Sequence, residues 1–164
     1  MNKRKKAILW LLLSMMPAFV IGCTNFPSSL SLSTSQPELP AVPTPIPSKG
    51  TIVGYLKVRD NGKVVPVDNV RLYLGDILKN SEGTELASSF SRIDSPTTLT
   101  DENGRFVFTN ISPGRYTLIL DIVINAYLLF VPGKSDEAII ITVESGRITN
   151  VGELVFDELP LPSD

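Results

Sequence analysis

Histidine is absent from the 164 residues, and there is one cysteine and one tryptophan. Without histidine the chain lacks the commonest general base and the commonest metal ligand. A single cysteine excludes an internal disulfide and a cysteine-based zinc cluster. Basic residues are also few: 15 Lys and Arg against 17 Asp and Glu leave a net charge of −2 and a pI of about 5.2. No basic surface argues for nucleic acid. The length suits one domain with appendages, not two full domains. These shortages leave little room for an enzyme, and neither a catalytic residue nor a cofactor is expected.

What is present begins with an address. Lys3, Arg4, Lys5 and Lys6 precede a nearly uninterrupted apolar run of 15 residues, Ala7 to Ile21. A membrane-spanning helix needs about 20 apolar residues, and this run also contains Pro17. It has the length of a secretory signal's apolar region. Val20-Ile21-Gly22-Cys23 resembles the bacterial lipobox, with Val20 where Leu is usual. That resemblance implies cleavage after residue 22 and lipidation of Cys23. The mature chain then carries 11 basic and 17 acidic residues, net −6, and no tryptophan. Acyl chains of the palmitate type contribute about 0.8 kcal/mol per buried CH₂, so two or three hold a domain on a membrane. Thr24 stands where Asp would imply inner-membrane retention in enterobacteria. By that analogy the site is the outer membrane in a diderm host, or otherwise the extracytoplasmic face of the cell membrane.

Residues 23–49 read as a tether rich in Ser, Thr and Pro. Pro40, Pro43, Pro45 and Pro47 lack backbone donors and favour polyproline II, which rises about 3.1 Å per residue. Residues 50–157 read as one domain of short strands. Ile52, Leu56 and Val58 alternate with Thr51, Tyr55, Lys57 and Arg59, and Asp60-Asn61-Gly62-Lys63 is a tight-turn signal. Val70 to Leu74, Arg105 to Thr109, Tyr116 to Leu120, Ala138 to Val143 and Ile148 to Phe156 follow, with a weaker strand near Ile122 to Val131. With no amphipathic helix, this pattern predicts an all-β, antiparallel Greek-key sandwich of about seven strands. Residues 158–164 read as a flexible tail.

Thr100-Asp-Glu-Asn-Gly104-Arg-Phe106-Val-Phe108-Thr-Asn-Ile-Ser-Pro113-Gly114-Arg-Tyr116-Thr-Leu118 resembles the T-D-x-x-G-x-F-x-F-x-x-[ILV]-x-P-G-x-Y-x-L stretch of carboxypeptidase regulatory-like domains. Gly50 to Val58, Gly62 to Leu74 and Ile141 to Gly146 fit the rest of that family's pattern. The resemblance implies a transthyretin-like sandwich, related to the collagen-adhesin B-type domains. It implies no peptidase activity, because the zinc site of carboxypeptidases lies in another domain. The motif residues have structural reasons: Asp101 to Gly104 turns the chain with a positive φ at Gly104, Pro113-Gly114 turns it again, and Tyr116 covers the core while its hydroxyl reaches the backbone.

Sharper chemistry is weighed against that structural reading. Asp101 and Asn103, with Glu102 and Asp94 near in sequence, are weak candidates for calcium, which wants six to eight oxygens; a solvated turn explains them better. Lys57 and Asn150 occupy strands suited to an isopeptide bond, but Leu120 stands where the adhesin-type domains carry the assisting acid. Asp121, one residue on, should face the other way. Tyr55, Tyr73 and Tyr127 offer surface rings for a glycan. Two regions exceed the bare scaffold. Gly75 to Leu99, with Ile77, Leu78, Leu86, Phe90 and Ile93, is longer than most loops. Tyr127 to Val131 is a continuous apolar run, expected to be buried on both faces, with an exposed partner-recruiting edge as the alternative. Phe90, Ile93, Tyr127 and Phe130 are therefore the candidate partner contacts. The expected role is a membrane-anchored, non-catalytic binding, adhesion or scaffolding module for an envelope protein, with polysaccharide recognition as the alternative.

Overall fold

The computed structural model describes residues 40–161, apart from the side chain of Leu86. The basic segment, the apolar run, Cys23 and residues 23–39 of the expected tether lie outside the described residues, as do residues 162–164.

Ten strands follow one another: β1 (Gly50–Asp60), β2 (Lys63–Pro66), β3 (Arg71–Lys79), β4 (Glu85–Ser89), β5 (Thr97–Leu99), β6 (Arg105–Ile111), β7 (Gly114–Asp121), β8 (Ala126–Leu128), β9 (Ile140–Val143) and β10 (Ile148–Phe156). They form an all-β sandwich of two sheets. In the first, β1 lies between β10 on one side and β6 and β2 on the other. In the second, β3 and β7 are central, flanked by β4 and β5 at one edge and β8 and β9 at the other.

Period-two alternation explains the core. Ile52 and Leu56, Leu72 and Leu74, Phe106 and Phe108, Leu118 and Leu120, and Ile141 and Val143 all turn inward and are buried. Phe106 and Phe108 meet edge to face, with centroids 6.1 Å apart, a favourable arrangement of ring quadrupoles. Gly54 stands opposite Phe106 across the β1–β6 ladder. A Cβ there would lie 2.5 Å from the Phe106 ring, so the missing side chain makes room for the aromatic one.

The turns follow their residues. Asn61 and Gly62 both take positive φ, as a two-residue hairpin between right-twisting strands requires. Asp101 Oδ1 accepts the backbone N–H groups of Asn103 and Arg105, each at 2.9 Å. Gly104 has φ +73°. The Tyr116 hydroxyl donates to the Ser112 carbonyl at 3.0 Å, its ring packs on the core, and burial followed by Asp76 pushes its pKa up.

Several expectations need correction. There are ten strands rather than about seven, because the long Gly75–Leu99 connection contains β4 and β5, both paired to the same edge of β3. The sandwich is not wholly antiparallel. β10 returns to the first sheet beside β1 in the parallel sense, with a bulge opposite Val53 and Gly54. Gly152 (φ +76°) donates to Asn150 Oδ1 there at 2.9 Å. The tail is not free as far as it is described: Leu159 and Leu161 pack against the core, where apolar burial offsets the lost chain entropy. Residues 40–49 form no ladder, yet they hold to the sandwich. Lys49 accepts from Gly146 at 2.8 Å, its Nζ donates to Ser112 Oγ at 2.9 Å, and the Thr51 hydroxyl donates to the Pro43 carbonyl at 3.4 Å.

Candidate binding surface

The second sheet has an outer face as well as an inner one. Tyr73, Gly75, Thr117, Ile119 and Asp121 alternate outward along β3 and β7, and all five are buried. The cover is the segment between β4 and β5. Phe90 packs on Tyr73 at 5.4 Å between centroids, the Tyr73 hydroxyl donates to the Arg92 carbonyl at 3.3 Å, and Leu74 N–H donates to Pro96 O at 2.9 Å. Ser88 and Thr117 share a hydroxyl hydrogen bond beneath it. Phe90 is thus occupied in packing, and Tyr73, only 4% exposed, is closed to any sugar.

Asp121 organises this end. Leu120 points into the core and Asp121 outward, as alternation predicts. The Asp121 carboxylate accepts from Arg92 Nε at 3.1 Å and Nη2 at 2.8 Å, a bidentate pair of the stronger kind. Its Oδ1 also accepts the Val123 N–H at 3.2 Å. One carboxylate therefore braces two chain segments. The Arg92 hydrogen bonds hold its pKa below the ordinary carboxylate value, and the Arg92 pKa rises in turn. A depressed carboxylate pKa contributes stability above the unfolded value that is lost as pH falls through the folded one. The 90–96 segment is therefore expected to loosen as pH falls below the ordinary carboxylate range, about 4. Amide exchange over residues 90–96 between pH 6 and pH 3 should accelerate in the native protein. In Asp121→Asn it should be fast throughout, with little pH dependence beyond the intrinsic chemistry.

Beyond Asp121 the chain turns within Ile122 to Asn125. Ile122 N–H donates to Asn125 O at 3.0 Å and Ile124 N–H to Ile122 O at 2.8 Å. The second bond closes a three-residue turn on Val123, whose φ is +70°, a strained arrangement for a β-branched residue. Val123 and Ile124 are 85% and 86% exposed, and Ile93 on the neighbouring segment is 92% exposed. The sequence reading included Ile93 but missed Val123 and Ile124, because an Ile-Val-Ile run without glycine reads as strand. The flanking Asp121 and Asn125 were the available turn signal.

Tyr127 and Phe130 do not join Phe90 and Ile93; they belong to the opposite edge of the second sheet. The run from Tyr127 to Val131 is only partly buried: Leu129 is in the core and the others are half-buried. A groove of about 310 Å³ lies between this run and Phe156, Leu159 and Pro160. The tail thus serves as part of the cover that a flanking strand was expected to supply.

The first sheet presents a shallow depression of about 430 Å³ lined by Tyr55, Lys57, Val64, Pro66, Asn103 and Glu153. Lys57 Nζ lies 2.5 Å from Glu153 Oε1 and 5.8 Å from the Tyr55 ring centroid. Lys57 pairs across the ladder with Val155, whereas Asn150 pairs with Val53, four residues away. Strand rise puts about 13 Å between those positions, too far for an isopeptide bond between Lys57 and Asn150. The Asp101 carboxylate is engaged in its own turn, and no group of three His, Cys, Asp or Glu side chains gathers for a metal among the described residues.

No family model matches the chain, and neither does any curated protein. Among solved structures, a candidate carbohydrate-binding protein of Pseudomonas aeruginosa is similar at 18% identity, covering 68% of this chain and 91% of its own, with a TM-score of 0.41. The minor pilin of Streptococcus agalactiae is 18% identical over 73% of this chain and 50% of its own, with a TM-score of 0.40. The major pilin subunit of Bacillus cereus is 17% identical over 68% and 30%, with a TM-score of 0.36. Likenesses this distant carry no functional argument. The chain's own geometry defines its class, an all-β sandwich.

Proposed function

We propose that this chain is a lipid-anchored, non-catalytic envelope lipoprotein whose β-sandwich is a binding, adhesion or scaffolding module. The observation that carries the binding role is the cluster of exposed aliphatic side chains, Ile93, Val123 and Ile124, at one end of the second sheet. The polar groups nearby serve structure instead: Asp121 braces two segments and Asp101 closes a turn. Val20-Ile21-Gly22-Cys23 supports anchoring at Cys23, on the outer membrane or the extracytoplasmic face of the cell membrane. The stretch from Thr100 to Leu118 supports membership of the carboxypeptidase regulatory-like domains.

Labelling cells with a palmitate analogue tests the anchor. The native protein should take up label and fractionate with membranes, and Cys23→Ser should do neither. Label uptake by Cys23→Ser would remove the lipoprotein assignment.

One observation favours a second reading, recognition of a surface polysaccharide. In the depression on the first sheet the Tyr55 ring and Val64 and Pro66 adjoin the amide of Asn103 and the charges of Lys57 and Glu153, the mixture of apolar and polar groups a pyranose uses. If it binds, Tyr55→Ala should abolish the protein's retardation in gels containing soluble polysaccharide without changing its melting temperature. Equal migration of native protein and variant in every polysaccharide would end that reading.

A further inference from the structure

We infer that Val123 and Ile124, with Ile93 beside them, form a preorganised aliphatic knob that docks into an apolar cleft of a different envelope protein. This rests on the reading of the chain as a binding module and names the surface.

Three observations carry it. Val123 and Ile124 occupy a turn with φ +70° at Val123, where glycine would sit without strain. The tip therefore carries two costs in the free domain, a strained backbone and exposed branched side chains. A contact that buries those side chains returns the second cost. The knob is also held in place before any contact forms. Asp121 accepts from Arg92, next to Ile93, and from the Val123 N–H, so one buried carboxylate fixes both protrusions. Preorganisation of this kind lowers the entropy lost on binding.

Shape and charge select the occupant. Side chains this exposed project outward, so two copies meeting tip to tip would not bury the roughly 1,200 Å² that a stable interface needs. Asp121 and Asp94 offset Arg92 and Arg71 in this region, leaving no excess positive charge to attract anionic headgroups. The polypeptide also enters from the other end. Lys49 bonds to Ser112 and Gly146, and β7 runs its eight residues from there to Asp121, about 25 Å. A tip facing away from an N-terminal anchor meets other envelope components, and a neutral aliphatic knob matches the charge-poor core of a protein interface.

The test uses the full chain in its own cells, with the photoreactive residue benzoylphenylalanine placed by Asn125→benzoylphenylalanine at the tip or Thr109→benzoylphenylalanine on the first sheet. The expected result is one discrete adduct with another protein from position 125 and none from 109. The adduct should fall at least tenfold when Val123→Gly and Ile124→Asn are added. Purified Val123→Gly should melt at the native temperature or a few degrees above it, since the substitution relieves strain. An adduct from 109 alone, or one from 125 that survives the double substitution, would overturn the knob and leave the binding module standing. No adduct from either site would count against both. An adduct of the chain with itself, or cosedimentation with phosphatidylglycerol–phosphatidylethanolamine vesicles that the double substitution removes, would replace the protein cleft by a second copy or a bilayer. A clear fall in the Val123→Gly melting temperature would refute the strain argument.

Discussion

Phe106→Ala is expected to lower the unfolding free energy by about 3–5 kcal/mol. Phe106 is fully buried, and its ring fills space on the β1 side that Gly54 vacates. Removing it forfeits the transfer energy of the ring and leaves a cavity that the two sheets relieve only partly. Domains of this size have about 5–15 kcal/mol in total, so a large share of the stability would go. Urea unfolding should show a lower midpoint at an unchanged slope. The same contact makes a second, sharper expectation. Gly54→Ala alone places a methyl within 2.5 Å of the ring and should cost about 1–3 kcal/mol through overpacking. Gly54→Ala combined with Phe106→Leu should cost clearly less than the sum of the two single changes. Strict additivity would mean that Gly54 is not there for Phe106.

Gly104→Ala is expected to be nearly as damaging, for a different reason. A left-handed residue other than glycine costs about 1–2 kcal/mol. Here the added Cβ would also lie 2.3 Å from the Leu56 carbonyl oxygen. That oxygen cannot move aside cheaply, because it accepts the Val67 N–H at 3.0 Å while the Leu56 N–H donates to Gly104 O at 2.7 Å. The substitution therefore pries the Asp101–Gly104 turn from the place where β1 leaves β6 for β2, and a total loss of about 3 kcal/mol is the expectation. Amide exchange should accelerate first at Leu56 and Val67. A variant as stable as the native protein would show that the turn can dock without this close approach.

The two substitutions belong to one sequence stretch, and that stretch was the most legible part of the chain. Asp101, Gly104, Phe106, Pro113, Gly114 and Tyr116 each have a local duty. A side chain that bonds its own turn, a residue that needs positive φ, or a ring that alternates with polar neighbours can be read one residue at a time. The same holds for Asn61-Gly62 and for the opposite orientations of Leu120 and Asp121. The candidate surface was legible only in part. Ile93 lay in a connection already conspicuous for its length, but Phe90 beside it turned inward onto Tyr73, and nothing local distinguishes one from the other. Val123 and Ile124 were hidden, because β-branched residues in a short apolar run have strand as their default.

By itself the sequence determined the all-β class, the inward face of nearly every strand, the turns at Asn61-Gly62 and Asp101–Gly104, and the expectation of an anchor at Cys23. Those rest on alternation, on positive φ and on local composition, which neighbouring residues settle among themselves. Only the tertiary structure decided that β10 runs parallel to β1, that β4 and β5 share one edge of β3, and that Leu159 and Leu161 return to the core. It also decided that Arg92 reaches Asp121 across 29 positions of chain. Each of these joins segments remote in sequence, and which remote segments meet depends on how the whole core closes, a quantity no local pattern records.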